Sequence, residues 1–223
     1  YELAVIIEEG MRRMYSEGED IFYYITVMNE KYKMPSLPKR KSAKEGILRG
    51  MYKLKSRRNN EHNIQLLGSG TILNEVIKAG QILESEFDLK ADIWSVTSYK
   101  ALHDNAIETE RNNRLKGKNE KSFIQESTGD KEGLFVAASD YQRALPLSVS
   151  DWFPGEFKAL GTDGFGLSDH RNELREHFEV NANHIAWTVI ASLHRRKEID
   201  KKQYNKAKKK LKIDDSKRFS FKV

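Results

Sequence analysis

IQLLGSGTILNEVIKAGQIL, residues 64–83, is the stretch that decides the fold. Residues 64–70 form a short apolar run that ends in glycine, which is typical of a buried strand followed by a tight turn. Over residues 71–83 apolar or small residues recur every three or four positions and predict an amphipathic helix; they are Ile72, Leu73, Val76, Gly80 and Leu83. A strand, a turn and a helix in this order indicate one unit of an α/β fold.

The same alternation continues towards the carboxyl terminus. Further strands are predicted at 91–98, 133–141 and 156–164. Further helices are predicted at 99–117, 171–178 and 182–196. Strands that alternate with helices indicate a largely parallel sheet covered by helices on both faces.

The pattern before residue 64 is different. Residues 3–14 carry apolar side chains at helical spacing, and IFYYITVM (21–28) is typical of a buried strand. Prolines and cations over 33–63 then predict an exposed linker and a domain boundary, although residues 45–54 within it fit no single pattern.

The composition narrows the classes of function. The chain has 223 residues, 38% of them hydrophobic, which allows a folded core. It contains no cysteine, which excludes disulfides, thiolate nucleophiles and cysteine–zinc sites and fits a reducing cytoplasm. No apolar run approaches the roughly 20 residues of a membrane-spanning helix, and the first residues do not resemble a signal peptide. Because the sequence opens without methionine and inside a predicted helix, we expect a piece of a longer protein.

The net charge of +6 is concentrated in KKQYNKAKKKLK (201–212), which holds seven lysines and no acid. Such a segment can bind nucleic acid or an anionic surface through counterion release. The alternative is a docked amphipathic helix with solvated lysines, since Tyr204, Ala207 and Leu211 form one apolar stripe. Asp200 with Gln203 resembles a capping box at the start of that helix, and the pattern favours the docked helix.

Two glycine-rich turns are candidate sites. GSG (68–70) lies between a strand and a helix, as in a dinucleotide-binding fingerprint, but Leu73 stands where the third glycine is needed. A tight strand-to-helix turn is therefore favoured, although a helix amino terminus can bind an anion.

The second turn is GTDGFGLSD (161–169), which also joins a predicted strand to a predicted helix. Asp163 has the chemistry to bind a metal or to accept hydrogen bonds from backbone N–H groups, and Ser168 or Asp169 can cap the next helix. No second carboxylate lies nearby at ligand spacing. The sequence favours a structural corner, built from Gly161, Asp163, Gly164 and Gly166.

No complete catalytic set is recognisable. None of the histidines shows the i, i+4 spacing of a helical zinc site: His62, His103, His170, His177, His184 and His194. There is no Gly-x-Ser-x-Gly elbow and no glycine–lysine–serine/threonine phosphate loop. We therefore predict no catalytic, cofactor-binding or metal-binding residue in this chain.

Taken in order, the segments resemble the carboxy-terminal part of the homodimeric, bacterial-type pyruvate dehydrogenase decarboxylase component, a transketolase-like thiamine diphosphate family. The resemblance covers nearly the whole chain. Its motifs are YELAVIIEEGMRRMY (1–15), YYITVMNEKYKMP (23–35), EGILRGMYKL (45–54), QLLGSGTIL (65–73), WSVTSYKAL (94–102), VAASDY (136–141), ALGTDGFGLSD (159–169), LREHFEVNA (174–182) and EIDKK (198–202).

The resemblance implies a domain layout. Residues 1–38 are expected to be the last helix and strand of a pyrimidine-binding domain, and residues 39–63 a linker. Residues 64–223 are expected to be a transketolase-type C-terminal domain, a three-layer α/β sandwich with a mixed, mostly parallel sheet.

The resemblance also implies an activity for a longer parent protein. That parent is expected to decarboxylate pyruvate and reductively acetylate the lipoyl groups of a dihydrolipoyl acetyltransferase in a multienzyme complex. It is expected to use thiamine diphosphate and Mg²⁺ as a cytoplasmic homodimer, without nucleic acid or membrane partners.

The present chain is expected to lack this activity by itself. The family's Gly-Asp-Gly motif is absent, since GTDG differs from it, and the family's catalytic glutamate is expected upstream of Tyr1. The resemblance thus implies a structural, dimer-supporting role and no cofactor for this chain alone. Leu167 stands where the family often carries arginine, so an inter-domain contact made by that arginine would be absent here.

Three interpretations stay open on sequence grounds. The chain is part of the thiamine enzyme, or it is a stand-alone α/β interaction or regulatory domain. The third is a nucleic-acid-binding protein that works through residues 201–212.

Overall fold

A computed structural model describes residues 1–32, 34–39 and 42–220. Its centre is the predicted strand–turn–helix, in which the strand is buried along its whole length. The strands are β1 (Met51–Lys55), β2 (Ile64–Gly68), β3 (Ala91–Val96), β4 (Gly133–Ala138) and β5 (Gly155–Leu160). They form one sheet in the order β1-β3-β2-β4-β5, in which only β1 runs antiparallel to its neighbour. The prediction of a mixed, mostly parallel sheet is confirmed.

Helices cover both faces of this sheet. Their bounds are α1 (Glu2–Met11), α2 (Ser42–Arg49), α3 (Ile72–Phe87), α4 (Tyr99–Lys116), α5 (Phe123–Thr128), α6 (Ala144–Leu147), α7 (Arg171–His177), α8 (Ala182–Arg195) and α9 (Lys201–Lys210). A π-helical turn, Arg12–Ser16, continues α1.

Each face of the sheet has its own hydrophobic core. On one face α3 and α8 pack together over β2 and β4, with contributions from α1, α2 and α9. On the other face α4 and α5 cover Trp94 and Phe135, and Phe153 packs against Phe135 with ring centroids 5.1 Å apart. Helix, sheet and helix layers therefore form the expected sandwich.

The range 39–63 differs from the predicted linker, because it contains α2 and the edge strand β1. Its residues 40–41 lie outside the described residues. Gly50 joins the two elements with φ +109°, and a Cβ there would lie 2.5 Å from the carbonyl oxygen of Ser98. Lys53 and Lys55 alternate with apolar residues in β1, as is common on the edge strand of a sheet. Because of these lysines, the sequence of the strand resembles an exposed linker.

The predicted strand at 21–28 is not formed, and its residues are not buried as a strand. Phe22 is 85% exposed and Tyr24 is 87% exposed. A strand needs a neighbour to pair its backbone groups, and the described residues place no strand beside this segment. The segment therefore has the apolar composition of a strand, but it does not pair with another strand of the described residues.

The lysine-rich segment forms the predicted docked helix. Asp200 and Gln203 make the capping box at the start of α9. Tyr204 packs on Trp187, with ring centroids 4.7 Å apart, and Ala207 is buried. The described residues contain no helix that is both long and apolar enough to cross a membrane.

Tyr99 offers a stability prediction. Its hydroxyl is buried without a hydrogen-bond partner among the described residues, and burial raises the pKa of the phenol. Because an unpaired buried polar group costs free energy, Tyr99→Phe should raise the free energy of unfolding by about 1 kcal/mol. Urea denaturation measures this. The matched control is Tyr52→Phe, which should destabilise the protein because the Tyr52 hydroxyl donates to Glu2 at 2.6 Å.

Candidate functional site

The glycine-rich corner begins immediately after β5, at the carboxyl edge of the parallel strands. Gly161 lies directly against the loop that follows β4. A Cβ at Gly161 would lie 2.4 Å from the carbonyl oxygen of Tyr141 and 2.8 Å from the backbone nitrogen of Arg143. The backbone N–H of Thr162 donates to the same Tyr141 carbonyl at 3.0 Å. The corner is thus held by backbone contacts between two neighbouring loops.

Asp163 is the buried acid of this corner, with 8% of its surface exposed. Its Oδ1 accepts from the backbone N–H of Arg143 at 3.0 Å, and its Oδ2 accepts from the Arg143 side chain. Ser220 donates its hydroxyl to the Asp163 carbonyl oxygen at 2.9 Å. Both carboxylate oxygens are therefore engaged by Arg143.

The corner does not fit a magnesium–diphosphate group. Such a group needs carboxylate oxygens that are free to bind the metal, and those of Asp163 face Arg143. Throughout the described part of the chain, no group of three or more His, Cys, Asp or Glu side chains could hold a metal ion. The cavity beside the corner has a volume of about 40 Å³. That is far below the roughly 300–1,000 Å³ of ordinary ligand pockets.

The GSG turn follows β2. The chain continues from β2 to β3 on one side and later returns to β4 on the other, so the turn lies where the strand order reverses. In open α/β sheets ligands often bind at such a point. Gly70 has φ +55°, and a Cβ there would lie 3.7 Å from Oδ1 of Asp140. Ser69 donates its hydroxyl to Ser139 at 3.0 Å across the same gap. The carboxylate of Asp140 therefore lies beside Gly70, next to the amino terminus of α3.

Asp140 gives a prediction about pH. Burial raises its pKa, while the positive charge of Arg175 partly opposes this rise. Because the folded protein holds this proton more tightly than the unfolded chain, stability falls as the pH rises from the unfolded pKa to the folded pKa of Asp140, and the loss is complete above the folded pKa. Asp140→Asn should therefore stabilise the protein at neutral pH. This advantage should vanish below the unfolded pKa of about 3.9.

Urea denaturation of wild type and Asp140→Asn across this pH range measures the difference. The control is Asp169→Asn, because Asp169 is an exposed aspartate in the glycine corner. A constant advantage at every pH would contradict the titration of Asp140 as its cause.

Three of the histidines each contact a different residue that is not a histidine. His62 contacts Glu198 at 2.5 Å, and His194 stacks on Tyr204 with ring centroids 4.5 Å apart. Burial lowers the pKa of His184, which lies against the helix cap of Asn181. Two histidines lie at the glycine corner: His177 lines the small cavity, and His170 follows the turn and donates its backbone N–H to Asp169 at 2.6 Å.

Sequence reasoning missed an ionic clamp between the amino-terminal segment and the sheet domain. Arg175 donates to Glu30 at 2.5 Å and lies 3.7 Å from Glu75. The Arg175 side chain is only 11% exposed. Beside this pair, the Tyr141 hydroxyl donates to Thr26 at 3.0 Å. We call Glu30, Arg175 and Glu75 the Glu30 clamp.

A second contact ties α1 to the edge of the sheet. The carboxylate of Glu2 accepts from the Tyr52 hydroxyl and from the Ser95 hydroxyl, each at 2.6 Å. Val5 of α1 is buried in the core below. Residues 1–32 are thus attached to the sheet domain at two separate places. No local sequence pattern marks these contacts, because their partners lie far apart along the chain.

Two family profiles match the chain in tandem. Residues 1–35 match the pyruvate dehydrogenase E1 component middle domain. Residues 50–181, more than half of the chain, match the transketolase-like TK C-terminal domain. The second match begins at residue 50 and so includes β1.

Known proteins resemble the chain in sequence and in fold. A pyruvate dehydrogenase E1 component of Pseudomonas aeruginosa is 45% identical over 98% of this chain and 25% of its own length. That of Escherichia coli strain K12 is 40% identical over 97% of this chain and 24% of its own length. A transketolase structure from Pichia stipitis superposes with a TM-score of 0.50 at 16% identity, covering 70% of this chain and 20% of that one.

These matches agree with the tandem order of the family profiles. The chain spans about a quarter of the length of the curated relatives it matches. Its sheet topology, its tandem matches and its identity to these relatives lead to one assignment. The chain belongs to the transketolase-like C-terminal domain family and matches the carboxy-terminal portion of pyruvate dehydrogenase E1 components.

Proposed function

We propose that this chain is the carboxy-terminal portion of an enzyme that oxidatively decarboxylates pyruvate and reductively acetylates lipoyl groups. The observation that carries the proposal is the 45% identity to a pyruvate dehydrogenase E1 component over 98% of the chain. The two profile matches support it, because the middle-domain match at residues 1–35 is followed by the C-terminal match at residues 50–181.

Within that enzyme the chain has a structural role. Its described residues offer a packed sheet, a rigid corner at Gly161–Gly166 and the Glu30 clamp, all of which hold neighbouring segments in place. The corner is architecture: Asp163 stabilises the loop of Arg143 and does not bind a cofactor. Catalytic residues and the binding of thiamine diphosphate and Mg²⁺ belong to parts of the enzyme outside this chain, so the chain alone is inactive.

The proposal extends to the assembly. The enzyme is a cytoplasmic homodimer that works with a lipoyl-bearing dihydrolipoyl acetyltransferase. The domain division expected from the sequence remains part of the proposal, with residues 1–38 as the end of the pyrimidine-binding domain. The attachment of residues 1–32 to the sheet domain supports a fixed arrangement of these two parts.

The test is an assay of the native polypeptide that carries this sequence. An antibody against this chain isolates that polypeptide, and pyruvate decarboxylation is measured with and without thiamine diphosphate and Mg²⁺. We expect cofactor-dependent turnover from a polypeptide about four times as long as this chain, since the chain covers 25% of its relative. The purified 223-residue chain should show none.

The opposite result would favour the stand-alone domain. A native polypeptide of about 25.8 kDa without turnover would overturn the enzyme proposal and leave an α/β interaction or regulatory module. Turnover by the 223-residue chain itself would overturn the structural role.

A further inference from the structure

Residues 214–220, which we call the strap, cross the carboxyl edge of the sheet. They follow α9 and contain no α-helix or strand. At the end of the strap, Ser220 donates its hydroxyl to the Asp163 carbonyl oxygen at 2.9 Å. The ring of Phe219 lies beside the guanidinium of Arg143, whose central carbon is 5.6 Å from the ring centroid. The strap therefore covers the small cavity beside the glycine corner.

Lys217 is the charged anchor of the strap on α7. Its ammonium donates to the carbonyl oxygen of Glu176 and lies 3.9 Å from the carboxylate of the same residue. The Lys217 side chain is 21% exposed, so this anchor is largely covered. Asp215 pairs with Lys208 of α9 and thus fixes only the start of the strap. The middle of the strap is held to α7 by the Lys217 ammonium.

The carboxylate of Glu176 also faces a buried histidine. Its Oε2 lies 3.7 Å from Nδ1 of His184 and accepts from the side-chain amide of Asn181. His184 is 6% exposed, and its Nδ1–H donates to Oδ1 of Asn181 at 2.9 Å. One carboxylate thus lies between the ammonium that anchors the strap and an imidazole that can acquire a proton.

The charges around His184 determine how its protonation acts on the strap. Burial lowers the pKa of the imidazole, the carboxylates of Glu176 and Glu179 oppose this, and the ammonium of Lys217 adds to it. On the side of α3, Glu75 accepts from a backbone N–H at the start of α8 and is already paired with a lysine of its own helix. A proton on the imidazole is therefore repelled by Lys217 and attracted to the carboxylate that Lys217 uses.

We propose that the strap is released by acid, because protonation of His184 draws the Glu176 carboxylate away from Lys217. The proton goes to Nε2, since Nδ1 already carries the hydrogen that bonds to Asn181. Because burial lowers the pKa of His184, this protonation takes place below the ordinary histidine pKa of about 6.5. Release of the strap uncovers the cavity beside the glycine corner, and this device does not depend on the proposed function.

A nitroxide spin label on the strap measures its release. The chain contains no cysteine, so Arg218→Cys, at an exposed position of the strap, creates a single labelling site in the full chain. Electron paramagnetic resonance should find an immobilised label at pH 7.5 and a mobile component that grows reversibly below about pH 6.5. By pH 5.0 the ratio of mobile to immobilised label should rise roughly threefold, as expected when one surface ion pair is weakened.

His184→Asn tests the sensor, because the asparagine amide can still donate to Asn181 but cannot acquire a proton in this pH range. In this variant the label should stay immobilised from pH 7.5 to 5.0. The matched control is His103→Asn, on α4 at the other face of the sheet, which should respond as wild type does. His177→Asn removes the histidine that lines the cavity below the strap, and it should also respond as wild type does.

Lys217→Met tests the anchor and leaves the buried histidine in place, so it keeps the proposal testable if His184→Asn does not fold. The label should then be mobile at pH 7.5 already, with no further increase at pH 5.0. Three results would overturn the proposal: a wild-type label whose mobility is independent of pH, a response that is lost in His177→Asn and kept in His184→Asn, or an unchanged response in Lys217→Met. A midpoint near the ordinary glutamate pKa of about 4.3 would overturn it too, because a carboxylate would then be the sensor.

Discussion

Gly161→Ala should lower the free energy of unfolding by about 3 kcal/mol, at the upper end of the cost of overpacking. The added methyl group would lie 2.4 Å from the Tyr141 carbonyl oxygen and 2.8 Å from the Arg143 nitrogen. Both atoms belong to backbone, so a change of side-chain rotamer cannot relieve the clash. The loop after β4 must move, and the bond from Arg143 to Asp163 is lost with it. Urea denaturation of the purified chain measures the effect.

Gly166→Ala is the matched control within the same corner. No atom lies within 4 Å of a Cβ built at Gly166, and its φ lies outside the left-handed region. Alanine there should be neutral or slightly stabilising, because it restricts the unfolded chain. Equal destabilisation by the two substitutions would show that flexibility of the corner, and not close packing at Gly161, determines its stability.

The isolated chain should self-associate through residues 21–28. This segment exposes Phe22, Tyr24 and Val27, the last at 71%, together with unpaired backbone groups. Exposed apolar segments with free backbone donors and acceptors pair with one another in solution. Light scattering during size-exclusion chromatography should therefore report a mass above 25.8 kDa that increases with concentration.

A double variant, Phe22→Lys with Val27→Lys, should shift the chain towards monomer, because lysine on an exposed segment blocks strand pairing. Tyr15→Lys is the control, since Tyr15 is 80% exposed but lies outside the segment. A monomeric wild-type chain in which hydrogen exchange finds residues 21–28 well protected would contradict the prediction.

The central part of the fold could be predicted because its signals are local. Parallel strands buried on both faces are continuous apolar runs, as in β2, and the helices between them carry apolar residues at a regular spacing. The capping box of α9 lies within four consecutive residues and was equally visible. In these elements, the intrinsic propensity of the residues and the burial of their apolar side chains favour the same secondary structure.

The rest depends on partners that are distant in sequence. The edge strand β1 was missed because its lysines resemble a linker until β3 lies beside it. The Glu30 clamp joins residues 145 positions apart, and neither Glu30 nor Arg175 differs in type from many surface residues. In the candidate site, the composition of the corner was apparent, but the engagement of Asp163 by Arg143 was not.

The position of Asp140 limits what the GSG turn can accept. Its carboxylate lies 3.7 Å from the place that a Cβ at Gly70 would take. A negatively charged group brought to this turn would therefore meet a like charge at close range, which repels it. The turn thus disfavours anionic ligands, although it lies between a strand and a helix as in dinucleotide-binding folds.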